Sequence, residues 1–144
     1  MTFVLDASIT MCWLFRDGKP AERAYALGIL DVMKRPEARA LVPVTWGLEV
    51  SNVISRAESR GLLKEAQSEA FLEMLEGVDI GADTATFSKA LSDTLQIARR
   101  YRLSAYDASY LELALREGLP LATLDEALQK AAIKAGVKRI AARA

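Results

Sequence analysis

Asp6, Glu49, Asp107 and Asp125 are the residues of this chain whose type and setting could carry chemistry. Asp6 ends the β-prone run Thr2-Phe3-Val4-Leu5, and Asp125 ends Leu121-Ala122-Thr123-Leu124, so each stands where a strand gives way to a helix. Aspartate is also a good helix N-cap, which gives both a harmless explanation. Asp107 lies in Ser104-Ala105-Tyr106-Asp107, a capping-box pattern with the acid in the favourable first turn. It also lines up at helical spacing with Tyr110, Leu111, Ala114 and Leu115, an apolar stripe expected to face inward, where an unpaired charge is costly. Glu49 flanks the apolar face Trp46, Val50, Val53 and Ala57, with Arg56 further along as an ordinary salt-bridge partner.

Separate caps have no reason to converge, whereas metal ligands do. Gathered in one place, the acids would repel one another and take up protons or recruit cations. Oxygen ligands without imidazole or thiolate favour Mg²⁺ or Mn²⁺ over zinc. Such ions can activate water, hold a phosphodiester and stabilise a leaving oxyanion. That chemistry suits a chain with no histidine, in which imidazole base catalysis and a Ser-His-Asp triad are excluded. The single cysteine, Cys12, has no internal partner and sits among apolar neighbours, which predicts packing in a reducing compartment.

The elements that would position these acids follow from the hydrophobic pattern. The 144 residues, 51% apolar and 26% charged, fit one domain over 1–144 with a core of its own. Nineteen basic and nineteen acidic side chains cancel, so no basic coat or acidic tail dominates. The pattern predicts strands over 2–5, 40–44, 78–80, 120–123 and 137–140, and helices over 21–33, 45–59, 64–76, 83–100, 104–117 and 126–135. Strands alternating with helices predict an α/β domain in three layers with a mainly parallel sheet. Loops after parallel strands share one sheet edge, and the four acids fall on such loops or the first turns beyond them. The N-terminus lacks the positive leader of a signal peptide, and no run approaches the ~18 apolar residues of a membrane span, so a cytoplasmic protein is expected.

Four blocks in order resemble the PIN-domain ribonucleases, and within them the VapC toxins of type II toxin–antitoxin systems. They are Val4-Leu5-Asp6-Ala7-Ser8, Glu49 with Asn52, Tyr106-Asp107-Ala108-Ser109-Tyr110-Leu111-Glu112-Leu113-Ala114, and Leu121-Ala122-Thr123-Leu124-Asp125. The resemblance implies an α/β/α sandwich on about five parallel strands in the order 3-2-1-4-5. It implies that Asp6, Glu49, Asp107 and Asp125 are the catalytic acids binding Mg²⁺ or Mn²⁺, supported by the hydroxyls of Ser8 and Thr123. The implied reaction is endonucleolytic hydrolysis of single-stranded or looped RNA, leaving a 5′-phosphate and a 3′-hydroxyl. Implied partners are a second copy of the chain and a cognate VapB-like antitoxin whose C-terminal segment fills the groove.

Arg99, Arg100 and Arg102 form a basic knot before Asp107 and are candidates for RNA contact. Lys130, Lys134, Lys138, Arg139 and Arg143 follow Glu126 with no acid among them, a pattern that fits a solvated helix face equally well. Trp13 and Trp46 read as core. Leu62, Leu63, Ala66, Phe71 and Leu75 read as packing, or, on the resemblance, as a clip shaping the partner groove. The rival readings are an RNA-processing nuclease with no antitoxin and a non-catalytic PIN-like binding module. A phospho-acceptor domain ranks last, because Ala7 and Ser8 stand where a second acid is wanted.

Overall fold

Short apolar strands joined through helices have the long crossovers that parallel pairing needs, and the computed structural model, which describes residues 1–142, shows that arrangement. Its strands are Thr2–Leu5 (β1), Arg39–Val42 (β2), Ile80–Ala82 (β3) and Leu121–Ala122 (β4). They form one parallel sheet in the order β3-β2-β1-β4. Its helices are Ala7–Phe15 (α1), Pro20–Met33 (α2), Trp46–Ser59 (α3), Glu65–Glu76 (α4), Thr86–Ala90 (α5), Asp93–Tyr101 (α6), Ala105–Glu117 (α7) and Glu126–Ala135 (α8).

Alternation along β1 divides the interior in two, since successive side chains point to opposite faces. Phe3 and Leu5 join a core with Ile9, Trp13, Ile29, Ile54 and Phe71, drawn from α1 to α4. Val4, on the other face, joins Tyr110, Leu111, Leu113, Leu121 and Leu128, drawn from α7, β4 and α8. The three-layer sandwich expected from the pattern is therefore present, and Trp46 packs at the edge of both clusters.

Three features differ from the sequence expectation. Among the described residues the sheet has four strands, not five. Beyond Gly136 the chain offers only Lys138 O and the Ile140 amide to Leu121, at 2.9 and 3.1 Å, and pairs with it as a single bridge at Arg139. That bridge lies outside β4, so the order 3-2-1-4-5 survives with its last member reduced to one contact.

The helix expected over 83–100 is broken. Asp83 accepts from the Ala85 amide and the Thr86 hydroxyl, and Ser92, at φ −122 and ψ −99, interrupts the run between α5 and α6. Helix α1 was not signalled by the sequence. Ala7, Ile9, Thr10, Cys12 and Trp13 are buried and Met11, Leu14 and Phe15 pack on the same core, so no polar face marks a helical period.

Candidate functional site

Register fixes the centre of the site. Leu5 pairs with Ala122, and the Asp6 amide donates to Ala122 O at 3.0 Å, which sets Asp6 beside Thr123 at the carboxyl end of the two strands. Thr123 Oγ1 donates to Asp6 Oδ2 at 2.7 Å and Ser8 Oγ donates to the same oxygen at 2.6 Å. Both hydroxyls are held in turn, Ser8 Oγ by the Leu124 amide at 2.9 Å and Thr123 Oγ1 by the Asp125 amide at 3.0 Å. Asp6 stands at the N-cap of α1 without making a side-chain cap bond. Its carboxylate, only 4% exposed, is turned to the hydroxyl pair instead.

The other acids arrive on helices. Asp125 caps α8, accepting from the Leu128 amide at 3.1 Å, and follows β4 as the pattern predicts. Ser104 caps α7 by accepting from the Asp107 amide at 3.1 Å, which leaves the Asp107 side chain in the first turn. The inward stripe behind it runs through Tyr110, Leu111 and Ala114, while Leu115 is 42% exposed. Glu49 lies in the first turn of α3 and accepts from the Tyr110 hydroxyl at 3.1 Å. Arg56 does not pair with it; no ion pair among the described residues uses Asp6, Glu49, Asp107 or Asp125.

These four carboxylates share one electrostatic environment. Burial raises the Asp6 pKa above its ordinary value despite the two hydroxyl bonds, and the charge of Asp125 adds to the rise. Glu49 is pushed up to about 7, by burial first and then by Asp6 and Asp107, against the Tyr110 hydrogen bond. Asp107 is pushed up to about 6, by burial and then by Asp125 and Asp6. Acids drawn from about 120 positions of sequence thus crowd one sheet edge with no basic side chain paired to them, the condition under which carboxylates bind protons or cations. A family model described as the PIN domain matches residues 3–134.

The chain belongs to the PIN-domain family.

A protein named Ribonuclease VapC3 from Pyrobaculum aerophilum is 32% identical over 80 residues. That match takes in 56% of this PIN domain and 61% of the relative, less than two thirds of its length. Two crystal structures share the fold. One is PAE2754 from Pyrobaculum aerophilum, at 21% identity and a TM-score of 0.63, covering 91% of this chain and 87% of that one. The other is VapBC2 from Rickettsia felis bound to a DNA fragment from their promoter, at 13% identity and a TM-score of 0.63, covering 90% and 92%.

The donor set of this PIN domain fits a hard divalent cation in chemistry, being all oxygen, acidic and short of positive charge. No group of three or more His, Cys, Asp or Glu among the described residues is arranged to hold a metal ion as it stands. Thr123 and Ser8 fix Asp6, Tyr110 engages Glu49 Oε1 and α8 engages Asp125 Oδ1. Bonds to Glu49 Oε2 and Asp125 Oδ2 are absent among the described residues.

Tyr110 belongs to the site although its place in the apolar stripe disguised it as core. A buried phenol needs a hydrogen-bond partner, and that requirement was the signal in the sequence. Of the three arginines expected to contact RNA, Arg100 and Arg102 line a cleft and Arg99 does not line it. Arg139 instead lies over the Tyr25 ring at 3.6 Å, and Arg143 falls outside the described residues. Cys12 and Trp13 are buried as expected, with Leu63 and Phe71, whereas Leu62 is 72% exposed.

Proposed function

We propose that this PIN domain is a metal-dependent endoribonuclease acting on single-stranded or looped RNA, and the toxin half of a VapBC-type pair. The observation that carries the reading is the cluster of Asp6, Glu49, Asp107 and Asp125 at one sheet edge without a paired cation, where burial and the neighbouring acids raise the pKa values of Asp6, Glu49 and Asp107. The 32% likeness to a protein named Ribonuclease VapC3 supports the activity, and the fold shared with VapBC2 supports the antitoxin.

Asp6, Glu49, Asp107 and Asp125 would hold Mg²⁺ or Mn²⁺. A divalent cation in that position supplies an activated water and neutralises charge on the phosphodiester. The protein's part is preorganisation. Ser8 and Thr123 fix the Asp6 carboxylate, buried behind β1, so that its orientation costs nothing when substrate arrives. Glu49 and Asp107, only half-buried, keep the freedom to turn toward a cation. Glu49, pushed up to about 7 without a cation, would give up its proton when a cation binds, while Tyr110 donates to it.

A homodimer and an antitoxin both need apolar surface to bury, and Val44, Leu48 and Phe87 are exposed at 56%, 73% and 89%. The proposed setting is the cytoplasm; no helix among the described residues is long and apolar enough to cross a membrane.

The test is cleavage of end-labelled RNA by the full chain with Mg²⁺ or Mn²⁺, with EDTA, and as Asp6→Asn and Asp107→Asn. Cleavage only with metal and intact acids is expected; cleavage that survives EDTA and both substitutions overturns the mechanism. The cap bonds made by Asp125 and Ser104 favour one competing reading, a binding module whose acids serve the helices alone. It predicts no rise in melting temperature with Mn²⁺, whereas a bound cation stabilises the native state.

A further inference from the structure

Two basic segments that lie far apart in sequence meet in space. Arg100 and Arg102 at the end of α6 and Lys130 and Lys134 on α8 line a cleft of about 540 Å³, floored by Tyr101, Ala127 and Ala131. All four cations are exposed. Arg100, Arg102 and Lys134 form no ion pair among the described residues. Lys130 meets only Glu126, at 3.1 Å, in a pair open to water on both sides and of little worth. Four like charges around one cleft repel weakly through water and together attract an anion.

The cleft's two walls also adjoin the chain segments that carry Asp107 and Asp125. Its α8 wall starts at Asp125, with Lys130 and Lys134 about 8 and 14 Å further along the helix axis at 1.5 Å per residue. Its α6 wall ends at Arg102, which adopts the left-handed φ of 55° at a C-cap where glycine is usual, and the chain then enters α7, the helix of Asp107. The lining has no large aliphatic side chain to anchor a peptide. A flexible polyanion with evenly spaced charges suits it better.

We infer that the α6–α8 cleft binds the phosphate backbone of single-stranded RNA flanking the acidic site, an assignment that rests on the ribonuclease reading. The test is fluorescence anisotropy of a labelled single-stranded RNA with the full chain in EDTA, over a range of salt. Replacing all four cations, as Arg100→Gln, Arg102→Gly, Lys130→Gln and Lys134→Gln together, should weaken binding tenfold or more at low salt. The slope of log K against log salt should flatten by about 3, at roughly 0.7 per phosphate contact on a single strand. A control with equal charge loss elsewhere, Lys34→Gln, Arg35→Gln, Lys64→Gln and Lys89→Gln, should retain affinity and slope far better.

Thermal melts of both variants should show that they fold, and Lys130→Arg with Lys134→Arg should keep wild-type binding. A cleft variant that loses no more affinity than the control overturns the inference. Failure of the ribonuclease reading would look different: a wild-type chain that binds RNA with the full salt slope and never cleaves it.

Discussion

The Tyr110 hydroxyl donates to Glu49 Oε1 at 3.1 Å, joining α7 to α3 across 61 residues of sequence. Tyr110 is 0% exposed, and burial, followed by the charges of Asp6 and Glu49, raises its pKa so strongly that the phenol remains a donor. The bond ties together the helices that carry Asp107 and Glu49, and it tempers a carboxylate that burial and neighbours push the other way.

Tyr110→Phe removes that donor while keeping the ring. The loss should cost about 1 kcal/mol of stability. The Glu49 midpoint should rise further above about 7, since the hydrogen bond acts to lower it. Carbon-detected NMR titration of the Glu49 carboxyl measures this directly, and an unchanged midpoint would show that the phenol does not tune it.

Ser8 and Thr123 both donate to Asp6 Oδ2, so their contributions are coupled. Ser8→Ala and Thr123→Val should each destabilise the fold by about 1 to 2 kcal/mol, with a non-additive double variant. Urea unfolding of the four-member cycle checks it. Additive losses would mean that the hydroxyls hold Asp6 independently.

The acidic cluster makes stability depend on pH with a defined sign. Glu49 rises from 4.5 to about 7 in the folded chain, so the native state binds its proton more tightly than the unfolded state does. Stability from this group is therefore present below its unfolded pKa and lost as pH climbs through the folded one. Relative to Glu49→Gln, the metal-free wild type should lose melting temperature between about pH 4.5 and 7 and hold a constant difference above. A difference flat across that window would remove the predicted shift. Added Mn²⁺ should reduce the difference if Glu49 is a ligand.

Arg116 clamps two nearly buried carboxylates, Asp83 through Nη1 and Nη2 at 3.2 and 2.6 Å and Glu112 through Nε and Nη2 at 2.9 and 3.0 Å. Asp83 also holds Thr86, whose hydroxyl accepts from the Val44 amide just before α3. Arg116→Met strands both acids and should cost about 3 kcal/mol or more. Adding Asp83→Asn and Glu112→Gln should recover part of the loss in urea unfolding. A triple variant no better than the single would place the cost in packing.

Much of this architecture is legible in the chain because it rests on local rules. The run Glu126–Ala135, with Asp125 before it and Gly136 after it at φ 82, states its own start and stop. Helix α1 is illegible for the opposite reason: it is covered by α2 and α3, so Ile9, Cys12 and Trp13 need no polar counterface. The start of α5 is equally hidden, because Asp83, which holds Ala85 and Thr86, is itself held by Arg116, a partner 33 residues away.

By itself, the sequence determined the acid identities, the absence of histidine, and the placing of Asp6 and Asp125 at strand-to-helix junctions, all of which are properties of neighbouring residues. Only the tertiary structure decided that Asp6 forgoes its cap for Thr123, that Tyr110 reaches Glu49, and that the cations of α6 and α8 share a cleft. Those outcomes depend on strand register and helix packing, which bring together groups that no local pattern relates.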